Sequence, residues 1–284
     1  MSTWFKHRRA ACWCRRCCRS CSRWTWPASI CWWTRSGSGR SALFRIDVLT
    51  IFPEMFSALE ASMVGRARQA GLLDVRVSDI RAYSAAKHKN TDDYPFGGGA
   101  GMLMTAQPIA DAIKALAPAP YKGLRVLMSP RGQLLTQQLV QKLSQAESLL
   151  IVCGRYEGVD ERVSQRYIDL ELSIGDYVLT GGELPAMVLI DAVARLREGV
   201  LGQGQSALEE SFTDDHLLEY PQYTRPRVFE GLEVPEVLLG GNHAQIDLWR
   251  RRQRLLVTAQ RRPDLLPQAR LTDEERAWLR EQGF

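Results

Sequence analysis

A regular alternation of strand-like and helix-like segments runs from Phe44 to about residue 198 and dictates an α/β architecture. Short apolar, β-branched runs predict strands at 44–51, 73–77, 124–128, 149–153 and 170–174. Longer amphipathic segments between and after them predict helices at 54–70, 105–117, 134–145, 159–167 and 183–198. Because a helix between two strands returns the chain to the same edge of a sheet, this order predicts a mostly parallel sheet.

The alternation stops near Gly199, where the composition changes to that of a linker. Further on, Asn242 is placed to cap a helix that runs to about residue 262, and Thr272 with Glu275 forms a capping-box pattern for a last helix. We therefore expect an α/β domain over 44–198, an interdomain linker over 199–226 and a small helical domain over 227–284.

The first 43 residues differ sharply from the rest. They hold six of the seven cysteines, six of the eight tryptophans, nine basic residues and no acidic residue. Residues 44–284 carry a net charge of −4, although the whole chain is +5. The basic average therefore belongs to the tail and is no argument for nucleic-acid binding by the body.

Several interpretations of this tail compete. Arginine interrupts every apolar cluster, which excludes a signal peptide, and no apolar run in the chain approaches the about 18 residues of a membrane span. The clustered cysteines lack the second ligand pair of a structural zinc site, which leaves zinc as the less favoured alternative. A disulfide framework does not suit a body whose one cysteine, Cys153, lies in an apolar run. We expect 1–43 to be a non-native or disordered extension, and Cys153 to be a buried thiol in a reducing compartment.

Three polar, glycine-bearing segments follow predicted strands, at 129–132, 154–158 and 174–185. Ligands of open α/β sheets bind outside the carboxyl ends of the strands, so these turns together predict a small-molecule site. The dinucleotide-like pattern at 202–207 follows a helix rather than a strand and is a chance match. The glycine-rich segment 97–101 is either a flexible loop or a backbone that approaches a ligand or another chain closely.

Charged residues leave further alternatives open. Six arginines at 249–262 form either a phosphate-contacting face or a solvated helix face. Arg195 follows Asp191 by four residues, which also fits an ordinary helix pair. Glu209 and Glu210 in the linker also fit a solvated acidic patch.

Eight collinear motifs identify a family. They lie at 52–56, 97–102, 154–158, 160–162, 173–179, 181–186, 223–226 and 241–243. Over 44–284 the chain closely resembles the bacterial tRNA (guanine-N1)-methyltransferases, which modify the guanosine at tRNA position 37, 3′ of the anticodon. The resemblance implies the SPOUT fold class with a deep trefoil knot, a cytoplasmic homodimer whose active site is shared between subunits, and S-adenosylmethionine as methyl donor.

The resemblance also assigns residues to the donor pocket. They are Ser129, Pro130, Gly154, Ile174, Gly175, Asp176, Tyr177, Val178, Leu179, Gly181, Gly182 and Pro185. This set falls in the three strand-end segments that predict a small-molecule site on their own.

For catalysis, the resemblance implies that Glu210 is the general base, contributed across the dimer, with Glu209 as the fallback. The family has an aspartate at this position, so the carboxylate here is one methylene longer. Arg195 matches the arginine that places a cation at guanine O6 in the family. Glu157 matches a family acid near the reacting base, which could share a Mg²⁺ ion with Glu210.

The residues assigned to tRNA binding are Asp92, His88, Arg225 and Arg250. The chain departs from the family pattern at two further places. Gln222 stands where some relatives have histidine, and the loop at 213–216 is one residue longer than in close relatives. Two other functions stay open: methylation of a different RNA, and RNA binding without catalysis.

Overall fold

The computed structural model of the protein describes residues 43–201, 210–213 and 216–284. The predictions for the tail, for the 202–207 pattern and for Glu209 lie outside these residues. The strands are β1 (Phe44–Thr50), β2 (Leu73–Asp79), β3 (Asp92–Asp93), β4 (Leu103–Met104), β5 (Leu124–Leu134), β6 (Ser148–Cys153), β7 (Leu170–Ser173), β8 (Val228–Phe229) and β9 (Leu232–Glu233). The helices are α1 (Ser62–Gln69), α2 (Ala106–Leu116), α3 (Gln137–Ser144), α4 (Glu161–Tyr167), α5 (Glu183–Ala194), α6 (His243–Arg261) and α7 (Asp273–Glu281).

The predicted α/β class with a parallel sheet is confirmed. Five strands pair side by side in the order β2-β1-β6-β5-β7, and every pair is parallel. The short pairs β3–β4 and β8–β9 are antiparallel. The trefoil knot and the domain limits stay predictions.

The sheet is buried on both faces, which explains why its strands are almost continuously apolar. In β6 the five residues from Leu149 to Cys153 are fully buried. Successive side chains point to opposite faces, so Leu149 and Ile151 join one core cluster while Leu150 and Val152 join the other. A strand buried in this way at the centre of the sheet gives the residues that follow it a fixed position.

Cys153 ends β6 as a buried free thiol, as predicted. Burial raises the pKa of this thiol well above its ordinary value, and the neighbouring Glu183 carboxylate adds to the shift. Since the thiolate is the reactive form, we expect iodoacetamide at pH 8 to leave Cys153 unmodified in the folded protein and to alkylate it fully after unfolding. Peptide mapping of the full chain separates this residue from the tail cysteines. Modification of the native protein at the unfolded rate would contradict the assignment.

Several predicted elements are wrong in detail; the helix expected over 183–198, for example, ends at Ala194. The helix expected over 54–70 is a 3₁₀ helix at Pro53–Glu60 followed by α1, because Ala61 is extended and Ser62 has a φ of 57°. The segment 129–132, expected as a turn, lies inside β5, which continues to Leu134. Met128 and Gln133 both pair with Leu172, so the intervening residues bulge out of the ladder.

The C-terminal segment has its own small core, formed around Leu217, Leu255 and Leu279. Asn242 caps α6 by accepting a hydrogen bond from the Gln245 backbone N–H at 3.3 Å, and the Thr272–Glu275 capping box of α7 is complete. The expectation of a purely helical segment was incomplete, because β8 and β9 form a hairpin before α6.

None of the helices in the described part of the chain is long and apolar enough to cross a membrane.

Candidate active site

A cavity of about 440 Å³ opens beside the bulge of β5 and the carboxyl ends of β6 and β7. The three segments predicted to form a small-molecule site all contribute to its walls. Eleven of the twelve predicted donor-pocket residues line it, and Asp176 is the exception. The eleven are Ser129, Pro130, Gly154, Ile174, Gly175, Tyr177, Val178, Leu179, Gly181, Gly182 and Pro185.

Glycine lets the backbone itself form part of the wall. The Gly182 N–H donates to the Gly154 carbonyl at 2.8 Å, which ties the turn after β6 to the loop before α5. A Cβ atom at Gly182 would lie 2.8 Å from the Cα of Cys153, so no side chain fits there. At Gly175 the φ of 153° and the contact with the Tyr177 ring likewise require glycine. The cavity thus offers backbone N–H and C=O groups to a ligand.

Three residues that are not among the predicted site residues also line the cavity: Arg131, Arg155 and Glu161. The Arg131 guanidinium donates to Glu161 at 2.9 Å and lowers the pKa of that carboxyl. These side chains come from different elements, so no local spacing could have indicated the pair. Their hydrogen-bonding side chains extend the polar part of the cavity wall.

Glu157 lines the same cavity, and the glycine-rich segment holds it. The Glu157 N–H donates to the Met102 carbonyl at 3.0 Å. A Cβ atom at Gly101, whose φ is 82°, would lie 2.5 Å from the Cγ and Oε1 atoms of Glu157. Gly101 thus lies against a side chain of its own chain, which tests neither interpretation of the glycine-rich segment, whereas Gly97 to Gly99 have open space around them.

Arg195 and Glu210 meet away from the cavity walls. Arg195 caps the C-terminus of α5, and its Nη2 atom donates to Glu210 Oε1 at 2.6 Å. The guanidinium thus pairs with the linker carboxylate, and the alternative of an ordinary side-chain pair with Asp191 is not what the structure shows. Both side chains are partly exposed, and neither lines the cavity of its own chain.

The segment that carries Glu210 is attached to both parts of the protein. The Thr213 hydroxyl donates to the Glu210 carbonyl at 2.8 Å. Leu217 is fully buried, and the Leu218 N–H donates to the Thr258 hydroxyl of α6 at 2.9 Å. Glu210 thus bonds Arg195 of α5, while Leu217 and Leu218 join the segment to the C-terminal core and to α6.

A magnesium site between Glu157 and Glu210 gains no support from the described residues. Among them, no group of three or more His, Cys, Asp or Glu side chains is placed to hold a metal ion. Within this chain Glu210 is engaged by Arg195, while Glu157 packs against Gly101.

The predicted tRNA-binding residues are spread over the surface. His88 and Arg225 are exposed, and Asp92 lies in β3, where it pairs with Met104. Arg250 lies over the Tyr220 ring at 5.1 Å and approaches Asp247 at 3.6 Å. The structure does not bring these four residues into one cluster with the cavity.

The arginine-rich helix α6 is in part a structural element. Arg251 pairs with Glu275 at 2.6 Å, Arg252 lies over the Trp278 ring at 5.3 Å, and Arg254 donates to the Leu218 carbonyl at 3.3 Å. These contacts fasten α6 to its neighbours. Neither a phosphate-contacting face nor a solvated face describes the whole of α6, because several of its arginine side chains pack against neighbouring residues.

The Arg251–Glu275 pair makes a pH-dependent contribution to stability. The hydrogen bond from Arg251 lowers the pKa of Glu275, so the stabilisation is complete above the ordinary carboxyl pKa and is lost as the pH falls below it. We expect Arg251→Met to lower the melting temperature at pH 7 by about 2–4 °C, as for a loss of about 1 kcal/mol. The difference from the unmodified protein should shrink between about pH 5 and pH 3, near the ordinary carboxyl pKa. Thermal unfolding followed by circular dichroism measures both, and a difference that does not vary with pH would contradict the role.

Comparison with known proteins connects the site to a family. The sequence profile described as tRNA (guanine-1)-methyltransferase TrmD matches residues 44–268. A protein of Moorella thermoacetica named tRNA (guanine-N(1)-)-methyltransferase is 56% identical over 84% of this chain and 96% of its own length. Proteins of the same name from Caldanaerobacter subterraneus and Carboxydothermus hydrogenoformans are 54% and 53% identical, each over 84% of this chain and over 98% and 94% of their own lengths. The chain therefore belongs to the tRNA (guanine-1)-methyltransferase family, a family of enzymes in the SPOUT fold class.

Proposed function

We propose that the protein transfers a methyl group from S-adenosylmethionine to N1 of the guanosine at position 37 of tRNA, acting as a cytoplasmic homodimer. Family membership supports the reaction on tRNA guanine N1. The observation that carries the finer proposal is the cavity at the strand ends, whose walls contain nearly all of the residues assigned to the donor.

The residues present fit the methyl donor. A cavity of about 440 Å³ lies within the range of about 300–1,000 Å³ typical of small-ligand sites. Its glycines expose backbone groups that can bond the adenine and the amino-acid part, while Leu127, Leu172 and Leu179 supply apolar surface. When bound, the donor supplies a methyl group on a positively charged sulfur atom.

Glu210 and Arg195 supply the proton chemistry. Guanine N1 carries a proton and becomes nucleophilic as that proton leaves, so a carboxylate at N1 accelerates the transfer. The proton passes from N1 to Glu210, N1 bonds the methyl carbon, and the carbon–sulfur bond breaks to leave a neutral thioether. Negative charge moves onto guanine O6, where the Arg195 guanidinium stabilises it.

A shared active site accounts for the placement of these groups. Arg195 and Glu210 lie off the cavity of their own chain, as expected if they serve the cavity of the partner subunit. Apolar side chains remain exposed beside the cavity and along α5: Val178 is 83% exposed, and Leu184 and Val188 lie one turn apart on the helix. Exposed apolar side chains at these positions support an interface with a second copy of the chain.

Mixing two inactive variants tests the sharing. Glu210→Gln removes the base, and Gly182→Val displaces the wall of the donor pocket because its side chain clashes with the backbone at Cys153, so each homodimer should be inactive. In a mixed dimer with shared sites, one site combines the intact pocket of one subunit with the intact base of the other, and activity returns. No recovery after subunit exchange, with mixed dimers verified by mass spectrometry, would place the whole site within one chain.

Two tRNA transcripts test the reaction itself. One carries G at position 37 and the other A, and each is incubated with the protein and S-adenosylmethionine. We expect 1-methylguanosine, identified by nucleoside mass spectrometry, in the G transcript alone. Transfer to ribosomal RNA instead would indicate a different RNA substrate, and the absence of donor binding in calorimetry would indicate RNA binding without catalysis.

A further inference from the structure

Glu183 is a fully buried carboxylate that does not line the cavity. It is the first residue of α5, where the helix dipole favours a negative charge. It accepts hydrogen bonds from the Thr50 hydroxyl at 2.8 Å and from Arg155 Nε at 2.9 Å. A buried charge is costly unless it is paired and hydrogen-bonded, so this carboxylate is tied closely to its two donors.

Arg155 connects Glu183 to two walls of the cavity. It follows Gly154 in the turn after β6, and its Nη1 atom donates to the Thr180 carbonyl of the loop before α5 at 3.3 Å. Its guanidinium also lies over the Phe52 ring at 4.4 Å, just beyond β1. Arg155 thus joins the turn after β6, to which it belongs, to the loop before α5.

The adjacent Gly181 shows how tightly this ion pair is packed. A Cβ atom at Gly181 would overlap the Arg155 side chain and lie 2.5 Å from Glu183 Oε2. The Arg155 and Gly181 backbones also form an antiparallel bridge. The ion pair therefore fills the space behind the loop, and its position sets the position of the wall.

We propose that Glu183 is a positioning residue which, through Arg155, holds the two loops of the methyl-donor pocket in their binding geometry. The inference rests on the proposed function and adds a residue to its machinery. Without the carboxylate, the Arg155 guanidinium, which is 17% exposed, has no counter-ion, and the turn and the loop lose one of the contacts that join them. Donor affinity should fall, whereas Glu210 and Arg195, to which the proposed function gives the proton chemistry, do not line the cavity and keep their rate once the donor is bound.

The first test is Glu183→Gln, which preserves size and removes the charge. We expect the Kd for S-adenosylmethionine, measured by calorimetry, to rise about 10- to 100-fold, the range for a lost hydrogen bond to a charged group. The KM for tRNA and the kcat at saturating donor should stay unchanged. Asp169→Asn is the matched control, because it breaks the Arg125–Asp169 pair of 2.7 Å at the opposite end of the sheet. It should lower the melting temperature and leave donor affinity intact.

A double-mutant cycle separates positioning from a general loss of stability. If Glu183 acts through Arg155, Glu183→Gln should weaken donor binding no further in an Arg155→Gln background. Should Glu183→Gln fail to fold, Thr50→Val removes one hydrogen bond to the same carboxylate and should weaken donor binding by a smaller factor.

Each result has a distinct meaning. Wild-type donor affinity in a folded Glu183→Gln protein, or additive losses in the cycle, would overturn the inference while leaving the proposed function intact. If Glu183→Gln does not fold and Thr50→Val is measured instead, unchanged donor affinity would also overturn the inference. Absence of donor binding by the unmodified protein would instead overturn the proposed function.

Discussion

Replacement of Glu210 by glutamine is expected to slow methyl transfer by about 10²- to 10⁴-fold, the contribution of a positioned general base. The amide keeps the size of the side chain and can still accept a hydrogen bond from Arg195, but it cannot take the N1 proton. Donor affinity should not change, because Glu210 does not line the cavity of its own chain and contributes a proton acceptor rather than a wall. Single-turnover rates at saturating donor and tRNA measure the chemical step directly.

Two variants accompany this measurement. Glu210→Asp restores the carboxylate of the family with a shorter reach, and it should keep far more activity than the amide. Glu281→Gln removes an exposed carboxylate at the end of α7 and should have no effect. An unchanged rate for Glu210→Gln would refute the base assignment, and Glu209→Gln would then be the variant to measure.

Much of the fold follows from the sequence because local patterns determine it. The run from Leu149 to Cys153 indicates a strand by its apolar, β-branched character, and the structure buries it on both faces of the sheet. The capping box at Thr272 and Glu275 defines the start of α7 for a similarly local reason: both partners lie within one turn. The resemblance to the family also assigned twelve residues to the donor pocket, and eleven of them line the cavity.

The rest depends on contacts between distant residues. The segment after Met128 carries proline and glycine and was expected as a turn, but pairing with β7 keeps it in the sheet as a bulge. The ion pair between Arg155 and Glu183 joins residues 28 positions apart, so no spacing rule could reveal it. The charge of the α6 arginines does not reveal their partners, because Arg251 pairs with Glu275 of a later helix and Arg254 donates to the carbonyl of Leu218, which precedes α6.

The contribution of Arg195 to the rate of methyl transfer should be similar to that of one oxyanion-stabilising group. We expect Arg195→Gln to lower the single-turnover rate about 10²- to 10³-fold at saturating donor and tRNA. Arg195→Lys keeps the charge but loses the planar guanidinium group. Its single-turnover rate should therefore lie between those of Arg195→Gln and the unmodified protein. Arg197→Gln is the matched control: Arg197 donates to the Ser144 carbonyl at 2.6 Å and lies over Phe44, so its loss should lower the melting temperature and spare the rate.

The pairing of Arg195 with Glu210 makes a sharper prediction for the double variant. The two side chains share a hydrogen bond of 2.6 Å, and both act on one guanine, at O6 and at N1. Groups that act as a unit are strongly non-additive, because the second loss removes a contribution that the first has already disabled. Arg195→Gln combined with Glu210→Gln should therefore be little slower than the slower single variant. If the two factors multiplied instead, the arginine and the carboxylate would be serving separate steps, and Arg195 would have to be reassigned to the binding of tRNA.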